Sequence, residues 1–157
     1  TAPLDEPVTV AGPITVDLVV STTGTDADWV VKLVDVFPDD ATDPSPNPAR
    51  VRMGGYQALV RGEPFRGKFR QSFETPVPFV PNQPDRIRFA LPDVAHTFRR
   101  GHRVMVQVQS TWFPLIDRNP QTFGDIPTTA PDDFRAQTHR VYRESGRASS
   151  ITLRVRP

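Results

Sequence analysis

Alternation with period two runs through most of this chain. From His102 to Trp112 the residues divide between two faces, Val104, Val106, Val108, Ser110 and Trp112 on one and Arg103, Met105, Gln107, Gln109 and Thr111 on the other. Side chains that alternate in this way belong to a half-buried strand, so the face with Val104 and Trp112 is expected to point inward. Gly101 supplies the turn before this strand, while Pro114 and the Asn119-Pro120 pair end the ladder and open an irregular loop. Ile14–Ser21 alternates likewise, with Ile14, Val16, Leu18 and Val20 toward a core. Trp29–Phe37 is apolar on both faces apart from Lys32 and Asp35, the pattern of a central strand in a covered sheet. Arg50–Gly62 resumes a strand pattern, with the Gly54-Gly55 pair suggesting a bulge or a close backbone approach, and Arg86–Leu91 turns Ile87, Phe89 and Leu91 inward. Arg135–Arg143 forms a further strand, and Ser149–Arg156 closes the chain with Ile151, Leu153 and Val155 on one side.

The connections are equally marked. Thr1–Pro13 reads as an extended lead-in fixed by Pro3, Pro7 and Pro13, and Ser21–Asp28 as a turn rich in Asp, Ser and Thr. Pro38–Pro48 is a loop with four prolines and three aspartates, Thr75–Pro84 is a second proline-rich connection, and Gln121–Asp133 is a third loop. Phe65, Phe69 and Phe73 have the spacing of a helix, but Gly67, Pro64 and Pro76 suit an irregular segment or short strand equally well. Asp93–Arg100 reads as a short helical or irregular turn. Seven to nine short strands without a long helix define an all-β class: a mostly antiparallel jelly-roll β-sandwich with long proline-rich loops.

Composition narrows the classes. A chain of 157 residues can bury roughly 70% of its unfolded surface, so a single domain over 1–157 needs no staples. Cysteine is absent, which excludes disulfides, thiolate nucleophiles and thiolate metal sites and leaves the compartment open. No apolar run approaches the ~18 residues that a membrane span requires, and Thr1–Val10 lacks the regions of a signal peptide, so no membrane partner is expected. Up to Ala49 there are nine acids and one base, Lys32; from Arg50 onward there are nine acids and eighteen bases. The bases are interspersed through strands, so the asymmetry predicts pairing between segments or docking on a partner, and no nucleic-acid partner.

Longer motifs carry a family resemblance: MGGYQ at Met53–Gln57, FRGKFRQSFE at Phe65–Glu74, HTF-x-x-GHR at His96–Arg103 and VMVQVQSTWFPLIDRNPQTF at Val104–Phe123. The weaker DADWVVKLVDVFPDD runs from Asp26 to Asp40. Through these the chain resembles the C-terminal β-sandwich domain of the serine hydrolases grouped with X-Pro dipeptidyl-peptidase, cocaine esterase and glutaryl-7-aminocephalosporanic acid acylase, above all the α-amino acid ester hydrolases. The resemblance implies a galactose-binding-domain-like jelly roll and a partner, the catalytic α/β-hydrolase domain of the same polypeptide. It implies a serine acyl-enzyme mechanism for the parent and admits a homo-oligomer of the full-length protein. Thr1 stands where an initiating methionine does not, which favours excision from something longer.

Catalysis is not expected in this chain. Acyl transfer needs a serine at a sharp turn, a histidine base and an orienting carboxylate, and the G-x-S-x-G signature is missing. In the family that the chain resembles, the triad lies in a separate, preceding domain. A triad improvised from Ser110, His102 and Asp117 would bury the Ser110 hydroxyl among valines. His96, His102 and His139 read as structural hydrogen-bonding residues. Asp26, Asp28, Asp35, Asp39, Asp40 and Asp43 read as caps and turn formers, since no ordered calcium loop accompanies them, and the histidines lack zinc spacing; no metal or cofactor is expected.

The loop after the 102–112 strand is the candidate site. Phe113, Pro114, Leu115 and Ile116 form an apolar run that one strand end cannot bury, and Asp117, Arg118 and Asn119 supply a polar rim. With Trp112 these residues are expected to contact the catalytic domain and shape the mouth of its active site. The alternative is a carbohydrate-binding module, with Phe113, Phe123, Tyr56 and Tyr142 as stacking platforms.

Overall fold

The fold is built on a segment that is apolar on both faces. β2 (Asp28–Val36) lies between β3 (Gln57–Arg66) and β5 (Arg103–Gln109) in one antiparallel sheet, as described by a computed structural model that covers residues 1–156. Val30, Val31 and Leu33 are completely or almost completely buried, as a strand covered on both faces requires. The second sheet pairs β1 (Val8–Thr22) with β4 (Asp85–Phe98) over nearly their whole length. The short strands β6 (His139–Val141) and β9 (Ser150–Thr152) also pair with β1. β7 (Arg143–Glu144) and β8 (Arg147–Ala148) form a small hairpin.

The two sheets share one hydrophobic core and form a β-sandwich. Ile14, Val16 and Leu18 of β1 and Ile87, Leu91 and Phe98 of β4 meet Trp29, Val31 and Leu33 of β2 and Phe65 of β3. Each of these side chains contributes about 1.5–3 kcal/mol on burial, which makes this layer the main source of stability. Charged residues of the outer face pair as the charge asymmetry predicts. Asp17 takes Arg86 and Arg88 at 3.1 and 3.0 Å, and Asp39 takes Arg103 at 3.4 Å.

Several expectations are corrected. The lead-in is shorter than Thr1–Pro13, because β1 already starts at Val8, and Leu4 exchanges backbone hydrogen bonds with Gly101 and His102. Asp93–Arg100 is no helical turn: β4 continues to Phe98 through a bulge, with Gly12 opposite Val94 but Ile14 opposite Leu91. The extra residue moves the inward set from Ile87, Phe89 and Leu91 to Val94, His96 and Phe98, so simple alternation breaks although pairing does not. Gly54-Gly55 is a tight turn ahead of β3 rather than a bulge, and of the two readings the close backbone approach holds, since a Cβ on Gly54 would meet the Asp39 carbonyl oxygen; the bulge in β3 falls where β2 passes from Leu33 to Val34. The expected Arg135–Arg143 strand shrinks to three residues, because only His139–Val141 reach β1. Phe65 lies in the last two residues of β3, which ends at Arg66, and Gly67–Phe69 forms a 3-10 turn.

Candidate functional site

β5 ends at Gln109, and the chain then folds back over the outer face of its own sheet. Trp112 is therefore not on the inward face that alternation assigns to it. Its ring lies on Gly62 of β3, where a Cβ would come within 2.8 Å of Cη2, and the Lys32 ammonium stands 4.1 Å from the ring centroid. Gly62 is required by this close approach, and Lys32, which strand alternation places on the outer face, finds a π partner in Trp112. Ser110 is exposed at the strand end rather than buried among valines.

The loop is fastened at its far end by a polar cluster centred on the buried Asn119 and Asp28. Asn119, 5% exposed, donates from Nδ2 to Asp28 Oδ1 at 2.9 Å and accepts the Gln121 amide at 2.7 Å. Asn119 is thus an anchor, and the rim role expected of it does not fit its burial. Arg66 links Asp28 at 3.5 Å to the exposed Asp117 at 3.8 Å. Burial pushes the Asp28 carboxyl up to about 6, against the opposing effects of Asn119 and Arg66, and burial also raises neighbouring Asp26. Gln121 holds a positive φ of 67° while its carbonyl accepts the Thr25 and Asp26 amides and its side chain bonds the Asn119 carbonyl and His139. So many partners at one residue overdetermine an otherwise unfavourable backbone.

Between these anchors the apolar run is displayed to solvent. Phe113 and Leu115 are 62% and 63% exposed, and the Phe113–Pro114 peptide is cis. The Arg118 guanidinium sits 5.5 Å from the Phe113 ring and 5.6 Å from that of Phe134, which holds Phe113 in place. Burial of Phe113 and Leu115 against a partner would contribute about 1–2 kcal/mol each.

Sequence reasoning missed an adjoining surface. A cleft of about 610 Å³ opens on the other side of Arg66, lined by Phe65, Phe69, Phe73 and Phe89. Phe65 and Phe89 stack at 4.9 Å, and Phe73 stands 80% exposed at the edge. The ambiguity of the segment Phe65–Phe73 concealed it, since the 3-10 turn that follows β3 carries Phe69 and Phe73 to the side of Phe65 and Phe89. Gly67 permits that turn, because a Cβ there would lie 2.5 Å from the Phe79 ring.

The candidate catalytic groups are kept apart. His96 Nε2 and His102 Nδ1 both bond Asp35, at 2.9 and 2.8 Å, and so tie the two sheets together inside the sandwich. His139 donates from Nε2 to Gln121 Oε1, and burial holds its pKa below the ordinary histidine value. Ser21 bonds the Tyr142 hydroxyl, Ser72 caps Glu74 and Thr75, and Ser149 bonds Val19. Ser110, His102 and Asp117 do not assemble, because His102 is bonded to Asp35 and Asp117 to Arg66. Of the aspartates, Asp43 caps the Met53 amide at 2.7 Å. Of the four aromatic platforms, Tyr56 packs edge-on against Phe37 and Tyr142 lies beneath Arg147, while Phe113 and Phe123 remain at the loop.

The geometry is that of a β-sandwich with an anchored apolar lip and with its histidines committed to structural bonds. The chain belongs to the family described as the X-Pro dipeptidyl-peptidase C-terminal non-catalytic domain, which it matches over residues 1–152. It is 31% identical to cocaine esterase from Rhodococcus sp. (strain MB1 Bresler) over 97% of its own length and 24% of that protein. It is similar in structure to an α-amino acid ester hydrolase, with a TM-score of 0.90 and 50% identity over 99% of this chain and 25% of that one. An aminopeptidase from a marine sediment archaeon, Thaumarchaeota archaeon, gives a TM-score of 0.90 and 46% identity over all of this chain and 25% of that one. The chain thus spans about a quarter of the length of these relatives.

Proposed function

We propose that this chain serves as the accessory domain of a serine hydrolase that cleaves esters or amides of α-amino acids through an acyl-enzyme. It packs against the catalytic α/β-hydrolase domain of the same polypeptide with the loop Trp112–Asn119 and shapes the mouth of the active site. The observation that carries this reading is the pairing of an exposed Phe113 and Leu115 with rigid supports on both sides, Trp112 on Gly62 and Asn119 on Asp28. Such a lip is organised before it meets its partner and loses little conformational freedom on docking. The 50% identity to an α-amino acid ester hydrolase supports the substrate class. Phe113, Pro114 and Leu115 form the contact, Asp117 and Arg118 its polar border, and Trp112 and Asn119 hold it in place.

Amide exchange of this loop, followed as separately prepared catalytic domain is added, tests the proposal. Slowed exchange across 113–118 is expected. Unchanged exchange, with complex formation shown by sedimentation, would contradict the assigned contact.

A further inference from the structure

The free edge of β5 is an unfinished part of the sheet. Val104 directs its N–H and C=O away from β2: its carbonyl accepts the Thr1 nitrogen at 2.8 Å and its amide reaches the Thr1 hydroxyl at 3.0 Å. Two residues earlier, the His102 carbonyl accepts the Leu4 amide at 2.8 Å. Alternate residues of an antiparallel strand present their backbone groups to the same neighbour, so Val106 and Val108 also point theirs away from β2. Among the described residues, no strand lies on that side of β5.

The side chains mark the same gap. Val106 and Val108 share the core face with Leu33 and Val31, yet they are 40% and 37% exposed. From Val104 to Trp112 no charge interrupts the sequence, and neither a proline nor a bulge protects the edge. Natural sheets guard free edges by such devices, and a bare apolar edge is a site for another strand. The edge leads to a cavity of about 450 Å³ lined by Val108, Ser110, Trp29, His139 and Val141. Among the described residues, Trp29 Nε1 is buried there without a hydrogen-bond partner.

Direction identifies the occupant. Leu4 lies beside His102 and Thr1 beside Val104, so the chain read backwards through Thr1 advances along β5 toward Val106 and Val108. The matched relatives are about four times as long as the segment they share with this chain, which leaves ample polypeptide to continue that path. We propose that in the longer protein the residues immediately before Thr1 continue antiparallel along β5 as a fourth strand of the β3-β2-β5 sheet and cover Val106 and Val108. The second residue before Thr1 then lies opposite Val106 and the fourth opposite Val108. The inference rests on the reading that this domain is joined to a longer hydrolase, but it concerns an edge distinct from the Trp112–Asn119 loop.

Residue-resolved hydrogen exchange on the full-length protein tests it. Gln107 and Gln109, whose amides face β2, serve as protected internal references. The Val106 and Val108 amides, with alternate amides in the five residues before Thr1, are expected to exchange at least about a hundredfold more slowly than unstructured ones. Fast exchange at Val106 and Val108 beside slow Gln107 would overturn the proposal. Slow Val106 and Val108 with fast upstream amides would overturn it as well, by assigning the cover to another surface. Protection that appears only at high protein concentration would assign the edge to a second copy of the chain. Exchange of residues 113–118 in the same data reports separately on the proposed interdomain loop.

Discussion

Ionisation of Asp28 tests the account of the loop anchor, because two opposed effects meet there. Its side chain is 1% exposed, and burial lifts its carboxyl from an ordinary value near 3.8 to about 6, while Asn119 and Arg66 favour the charged form. In the unfolded chain the carboxyl releases its proton near pH 4. Between pH 4 and pH 6 the folded chain retains a proton that the unfolded chain has lost, so the free energy of unfolding falls as pH rises. Two pKa units at 1.36 kcal/mol each amount to about 3 kcal/mol, complete by pH 7. Asp28→Asn keeps an acceptor for Asn119 and removes the charge. Urea unfolding of wild type and variant, followed by tryptophan fluorescence at pH 4 and pH 7, isolates the term. The variant is expected to gain on wild type by up to about 3 kcal/mol between the two pH values. A constant difference, or a wild type that gains with rising pH, would mean that Asn119 and Arg66 outweigh desolvation, and the argument would fail.

Other outcomes follow from the same geometry. Arg70, whose side chain is 5% exposed, bonds Asp85 at 2.6 Å and the Val77 and Pro78 carbonyls and lies 4.0 Å from the Phe79 ring centroid. Arg70→Ala should destabilise by about 3–5 kcal/mol in urea titrations, and Arg70→Lys should restore little, since an ammonium cannot reproduce the planar fork. Gly62→Ala should displace Trp112, seen as a red-shifted emission with about 1–3 kcal/mol lost in the same titrations. Asn119→Ala should cost about 2–4 kcal/mol, because a buried carboxylate oxygen and the Gln121 amide both lose a partner, and it should quicken exchange at 113–118.

Strand existence was legible where burial on one side imposes a strict period, as in Ile14, Val16, Leu18 and Val20, or where both faces are covered, as in Val30, Val31 and Leu33. Alternation loses its meaning once pairing stops, and for that reason Trp112, three residues beyond the end of β5, fell on the wrong face. Gly62 held the missing signal, since a glycine inside a strand marks close approach by another group. The pattern also assigned Val106 and Val108 to the core face without showing whether a second layer covers them; that depends on chain outside the strand. Asn119 looked like a rim residue because polarity alone does not distinguish a solvated amide from one paired to a buried carboxylate. The roles of His96 and His102 depend on Asp35, more than sixty residues away in sequence, and no local pattern connects them. The family motifs were readable because they are long, and the match over residues 1–152 confirms them.

The most direct test of the central claim, that this domain supports catalysis without performing it, is intact mass after exposure of the folded chain to a fluorophosphonate and an amino-acid methyl ester. The account predicts an unmodified mass and no ester turnover, whereas a full-length parent labels at a serine outside Thr1–Pro157. An adduct on a serine of this chain, together with product release, would contradict it.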